Sequence, residues 1–243
     1  MFYNFEKLNK GKIYTYQMKK VGLSIVAAAA IIFASCGGNS TNTSVSEKQE
    51  VAGHQGDRYA VDLAASSVTW KATHKGGFAP RWGNISLSSG EFSVEDGNIL
   101  AGEFVIDMAS IAVDTASVTE ADKKASDLEN HLKTPDFFNI EKYPTADFKI
   151  TSVTDLDPTA SAEGAVEGSN KTVSGNLTLL DSTLNVSFPA KIAVEGDKVT
   201  VNGKFIVDRT AWGIKFGATA ADPAEWGISK DIEIGVNVSG SKK

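Results

Sequence analysis

Residues 199–207 read V-T-V-N-G-K-F-I-V. In an extended chain Val199, Val201, Gly203, Phe205 and Val207 share one face, while Thr200, Asn202 and Lys204 lie on the other. A period of two with one apolar face marks a half-buried β-strand. The same alternation recurs on both sides of this stretch. Leu184, Val186 and Phe188 precede it, and Val173, Gly175, Leu177 and Leu179 come before them. Ile232, Ile234, Val236 and Val238 follow it. Nearer the amino end the pattern appears in Phe148 and Ile150, in Phe104, Ile106 and Met108, and in Val68, Trp70, Ala72 and His74. Ile85 with Leu87 and Phe92 with Val94 add shorter runs.

Turn signals separate these runs: Glu95-Asp-Gly97, Asp181-Ser182 and Glu195-Gly-Asp197. About eight or nine short strands in sequence, each with one apolar face, predict an antiparallel sheet closed into a barrel or folded as a sandwich. Two segments break the pattern. Residues 119–133 are rich in helix formers and predict a helix. Residues 155–171 hold Ala, Gly, Ser and acidic side chains and read as a loop.

The amino end is of another kind. Met18-Lys-Lys is followed by an apolar run of 15 residues, Val21 to Ser35, and then by Cys36. A basic start, a short apolar run and small residues before a cut form a secretory signal, with Met18 as the expected true start. The run is shorter than the roughly 20 residues that span a bilayer. Residues 1–35 are therefore expected to be removed. Residues 36–56, polar and poor in apolar side chains, are expected to be a flexible tether, and 57–241 the folded domain.

Cys36 is the single cysteine, so no internal disulfide can form. Phe33-Ala-Ser-Cys36 resembles a bacterial lipobox, with Phe33 where Leu is usual. That resemblance implies acylation of Cys36 and a periplasmic protein anchored to the inner or outer membrane. Removal of residues 1–35 leaves 19 basic and 29 acidic side chains. Such a body is a poor partner for a phosphate backbone, which argues against nucleic acid.

No catalytic signature emerges. His54, His74 and His131 lack zinc-ligand spacing, and no phosphate loop, dinucleotide fingerprint or nucleophile elbow occurs. No enzyme, metal site or cofactor is expected. His74 on an apolar face is a core histidine or a ligand contact. Trp212, in Asp208-Arg-Thr-Ala-Trp212, either caps the core beside a rim latch or stands at a ligand mouth. The inventory of large rings is high for one small barrel: they fill it, or they line a gap that an apolar ligand occupies.

Five stretches then carry a family likeness. They are Tyr59-Ala-Val-Asp62 with Ser67-Val-Thr-Trp-Lys71; Gly102 to Ile111; HLKTPDFFNIEKYPTADF, residues 131–148; Val173 to Leu179; and Asp208-Arg-Thr-Ala-Trp-Gly-Ile214. In this order they resemble the YceI-like lipid-binding family, in a Bacteroidetes-type lipoprotein form. The likeness implies an all-β fold: an extended, lipocalin-like antiparallel barrel of about eight strands with a short helical insertion. It implies a long-chain apolar ligand, a polyisoprenoid, quinone or fatty-acid derivative, held inside. The residues expected at that ligand are Trp70, His74, Phe104, Ile106, Met108, Phe137, Phe138, Phe148, Leu177, Leu179, Phe188, Phe205 and Trp212. Membrane contact through acylated Cys36 and a homodimer are compatible with this reading. The alternative is a stress-protective or structural lipoprotein with a filled barrel that acts through protein contacts. One departure is the long aromatic turn Lys75-Gly-Gly-Phe-Ala-Pro-Arg-Trp82. It counts against a mouth-lining role for His74 and makes Phe78 and Trp82 candidates for a lid or a membrane-facing patch.

Overall fold

The computed structural model describes residues 43–157, 164–219 and 227–243. The strands are β1 (Ser44–Glu47), β2 (Asp57–Val61), β3 (Ser67–His74), β4 (Arg81–Glu95), β5 (Asn98–Val113), β6 (Thr145–Asp155), β7 (Lys171–Leu179), β8 (Ser182–Glu195), β9 (Lys198–Asp208) and β10 (Ile228–Lys242). Helix α1 spans Ala125–Leu132. Each strand from β3 to β9 pairs antiparallel with the next, β9 pairs with β10, and β10 returns to β3. Eight strands thus close a ring, which removes the free sheet edges that invite aggregation.

Chain chemistry sets the corners. Between β4 and β5, Asp96 and Gly97 both take positive φ, 50° and 75°. That is the two-residue turn whose twist matches the strands it joins. Irregular register between β4 and β5 at three places lets these long strands bend around the barrel. Asp62 ends β2 by accepting from the N–H groups of Ala64 and Ala65 at 3.0 and 3.1 Å. The chain then resumes as β3 in the same seam: β2 and β3 both lie between β4 and β10.

The predicted helix over 119–133 contracts to Ala125–Leu132. Glu120 is held instead by both carboxylate oxygens on Arg81, at 2.5 and 2.6 Å, which draws the preceding segment across the rim. Of the predicted loop, β6 keeps Asp155 and β7 takes Lys171, while residues 158–163 lie outside the described residues.

The stretch expected to be a tether differs most. Residues 36–42 lie outside the described residues, but 43–56 are seated on the barrel. β8 and β9 pair only as far as Ala190 and Gly203, next to Pro189, which has no N–H to give to a ladder. β1 takes over the edge that β9 leaves, with Val45 opposite Val186, and Ile206 N–H donates to Thr43 Oγ1. Residues 48–56 then run across the outer face as a strap. Gln49 N–H donates to Asn176 Oδ1 at 3.0 Å, and Asn176 Nδ2 donates back to Gln49 O at 2.8 Å. Ala52 N–H donates to Ile150 O, at the irregular register between β6 and β7. Buried Asn176 and Asn185, opposite one another on that outer face, are the polar seat that free tether residues would not need.

Candidate functional site

The inward faces of the ring leave a cavity of about 400 Å³. It extends from Ile99, Ile192 and Val201, near the β4–β5 and β8–β9 hairpins, to His74, Ala79, Lys123 and Lys124 at the opposite end. Along β10 it is lined from Ile228 to Val238, a strand length of about 33 Å, or roughly 25 Å along a tilted barrel axis. Its walls are almost wholly apolar side chains. That size and lining are those of pockets that enclose small apolar ligands.

Phenylalanines form a belt inside. Phe92 meets Phe104 edge-on at 4.9 Å, Phe104 lies 6.4 Å from Phe148, Phe148 lies 6.1 Å from Phe188, and Phe188 stacks on Phe205 at 4.3 Å. The five rings come from β4, β5, β6, β8 and β9, one from each strand. Glycines make room for them. A Cβ at Gly175 would stand 2.2 Å from Phe148 Cζ, and one at Gly203 would stand 2.8 Å from Phe188 Cε2. The rings therefore pack against bare backbone and leave the axis open.

At the helix end the run TPDFF turns on itself. Phe137 N–H donates to Thr134 O and Phe138 N–H to Leu132 O, so both rings reach the cavity wall. Phe137 is buried beneath His131 and Phe216, at ring distances of 5.0 and 5.2 Å. The rim carries Arg81, Lys123 and Lys124 against Glu120, Asp122 and Asp127. Arg81 beside Glu120 holds that carboxyl down at about 2.

Twelve of the thirteen residues expected at a ligand line the cavity. His74 is among them, against the expectation drawn from its long turn, because β3 alternation carries it inward after Trp70 and Ala72. Trp212 is the exception. It is 1% exposed, and its indole N–H donates to Leu177 O at 3.0 Å, so it caps the barrel end instead of lining the void. Beside it Arg209, 2% exposed, donates to the carbonyls of Ser229, Ile214, Phe216 and Ile228. The rim latch is thus made of main-chain carbonyls. Burial lowers the guanidinium's pKa, and Asp208 opposes that. Asp208 itself caps the turn Arg209–Trp212, accepting from Thr210 N–H at 2.8 Å. Phe78 is 65% exposed at the mouth end, whereas Trp82 pairs with Lys71 and lies outside the cavity lining.

One constellation was not visible in the sequence. His54 Nδ1 lies 2.9 Å from Ser93 Oγ and its Nε2 lies 3.3 Å from Glu103. The three side chains copy the contacts of a nucleophile, base and carboxylate. Ser93 is 0% exposed, however, and lies under the strap outside the cavity lining, so the group pins the strap to β4 and β5. Among the described residues no group of three or more His, Cys, Asp or Glu could hold a metal ion.

A closed antiparallel barrel around one long apolar void defines a lipocalin-like class. The YceI-like domain model matches residues 59–239, and the chain belongs to that family. A UPF0312 protein of Vibrio cholerae is 27% identical over 197 residues, covering 76% of this chain and 87% of its own. A UPF0312 protein of Pseudomonas aeruginosa is 25% identical over 173 residues, 69% of this chain and 77% of its own. Among solved structures, Burkholderia cenocepacia BcnA superposes with a TM-score of 0.51 at 18% identity, covering 74% of this chain and 98% of that one. That likeness concerns the fold.

Proposed function

We propose that this protein sequesters or carries a long-chain apolar ligand, of the polyisoprenoid, quinone or fatty-acid kind, inside the barrel. The open cavity of about 400 Å³ carries this reading, because a filled barrel would have no such void. Each methylene moved from water into the cavity contributes about 0.8 kcal/mol, so about ten supply roughly 8 kcal/mol before the cost of ordering the chain. The reading requires no bond-making step. The void also weighs against the alternative, a filled structural barrel acting only through protein contacts. Anchoring of acylated Cys36 in the periplasm belongs to the same proposal. Its support is the basic, apolar and small-residue order of residues 18–36.

The test is native mass spectrometry of protein purified from its own membranes, followed by calorimetric re-binding of a long prenyl lipid to delipidated protein. Co-purified lipid, and binding with a negative heat-capacity change, are expected. Absence of both cargo and re-binding overturns the carrier. An unmodified thiol at Cys36 overturns the anchor alone.

A further inference from the structure

Of the three large apolar side chains exposed among the described residues, two stand at the mouth end: Phe78 at 65% and Phe216 at 44%. Neither belongs to the core cluster or to the cavity lining. Both border the opening. Phe78 precedes Ala79, which lines the cavity, and the Phe216 ring lies 5.2 Å from Phe137, which lines it too. Lys75 joins the two turns, since its N–H donates to Gly227 O and its ammonium to Thr219 O. Two glycines serve this display. Gly76 and Gly77 take φ of 79° and 84°, and the Phe78 ring lies over Gly76, where a Cβ would stand 2.9 Å from Cε2. Trp82 follows Arg81 on the outward face of β4, half-buried and outside the lining.

Charge at the opening runs against that of the chain, which carries −6 at pH 7. Around the opening, Lys75, Arg81, Lys123, Lys124 and Lys215 stand against Glu120, Asp122 and Asp127, with His131 paired to Asp136. Exposed aromatic rings among cations fit the head-group level of an anionic bilayer. The amino end points the same way. Thr43 Oγ1 accepts from Ile206 N–H, about 7 Å of strand from the mouth end of β9 and about 26 Å from its other end. Seven residues separate Thr43 from Cys36, a reach of at most about 25 Å. An acylated Cys36 therefore holds the mouth nearer to the membrane than the hairpin end.

We propose that the mouth rim docks on an anionic lipid bilayer, with Phe78 and Phe216 at head-group depth. The cavity then opens onto the membrane, and a ligand passes between the two without crossing water. The proposal rests on the carrier and anchor reading and adds the surface through which it works.

The experiment uses the lipid-anchored protein in nanodiscs of phosphatidylcholine, alone or mixed with phosphatidylglycerol. Hydrogen exchange is read at residues 75–79 and 213–217, with residues 95–98 at the hairpin end as the internal control. In the mixed discs the first two segments should exchange about tenfold more slowly than in phosphatidylcholine, and the control alike in both. Phe78→Ser should remove most of this contrast. Lys215→Gln should lower it about fivefold, the contribution of one lysine near an anionic surface. Equal exchange in both discs, protection of residues 95–98 instead, or an unchanged contrast in Phe78→Ser overturns the proposal. The wild-type contrast decides even if a variant fails to fold. Rim protection that rises with protein concentration and ignores lipid assigns the patch to a second copy, and overturns it too. If Cys36 carries a free thiol, only the anchor falls, and the same contrast is read with vesicles of the two compositions added to the protein. If delipidated protein re-binds no prenyl lipid yet the contrast holds, the carrier falls and the docking surface stands.

Discussion

Phe148 occupies the space that a side chain at Gly175 would need. A Cβ there would lie 2.2 Å from Phe148 Cζ and 2.7 Å from its Cε1. Since Phe148 also lines the cavity, the backbone of β7 determines how far that ring stands from the axis. Gly175→Ala should push the ring into the void. Overpacking of this kind costs about 1–3 kcal/mol. Urea unfolding should show the loss, and a displacement titration should show weaker binding of a long prenyl probe. Unchanged stability and affinity together would mean that the ring has room to retreat elsewhere.

Arg209 holds together the turn after β9 and the start of β10 through four carbonyls. Arg209→Met leaves those acceptors unpaired, at about 1–3 kcal/mol for each one that water cannot reach. A large fall in thermal midpoint is expected. Arg209→Lys should recover only part of it, because an ammonium lacks the planar fork that reaches several acceptors at once. Full recovery by lysine, measured by calorimetry, would show that charge matters here and geometry does not.

The strap rests on Asn176, which exchanges two hydrogen bonds with Gln49 and accepts one from Asn185. Asn176→Ala should cost about 1–3 kcal/mol. Its more specific effect should be local. Hydrogen exchange at Gln49 and Ala52 should accelerate while the amides of β6 and β7 stay protected. Equal protection of the strap in the variant would assign its seating to β1 alone.

Arg81 donates hydrogen bonds to Glu120, and this, with a backbone hydrogen bond at Glu120 itself, takes the carboxyl from 4.5 to about 2. A carboxyl lowered on folding stabilises the folded state above its unfolded pKa and stops doing so as pH falls through the folded one. Any stability gap between wild type and Glu120→Gln should be full near neutrality and close between about pH 4.5 and 2. The pair is partly exposed, so salt should narrow the gap. A gap unchanged at pH 2 would assign it to packing of the side chain.

Asp231 and Asp208 face each other across β9 and β10. Burial first, and Asp208 second, raise the Asp231 carboxyl. Such a group weakens the fold once ionised, so its cost grows as pH rises from the unfolded-state pKa to the raised one and is full above it. Asp231→Asn should therefore stabilise by a few tenths of a kcal/mol at neutral pH and by nothing in acid. Thermal midpoints at the two pH values decide the matter.

How legible was this molecule in its sequence? The eight ring strands announce themselves because each carries at least two apolar side chains at a spacing of two, on a face that must be buried. β1 does not: Ser44–Glu47 has the single apolar residue Val45, and its partner β8 is far along the chain. The strap is invisible for the same reason, since its polar seats on Asn176, Ile150 and Ser93 come from three separate strands. The rings of the cavity could be listed from alternation alone. Whether they meet or leave a gap depends on which glycines lie behind them, and Gly175 and Gly203 do so only once register is fixed. In the sequence Trp212 stays open between core cap and ligand mouth for a related reason. It follows a strand instead of belonging to one, so alternation could not orient it.

The position of β1 bears on how the chain is made. Ser44 emerges from the ribosome early, yet its ladder partner Ser187 is synthesised late, and Trp70 must wait longer still for Ile234. Closure by such distant pairings is slow, because the entropy of a long loop is lost before the contacts are gained. The barrel therefore cannot shut while its carboxyl end is missing. A growing chain stays open until translation ends, a state poorly protected from proteases and premature association.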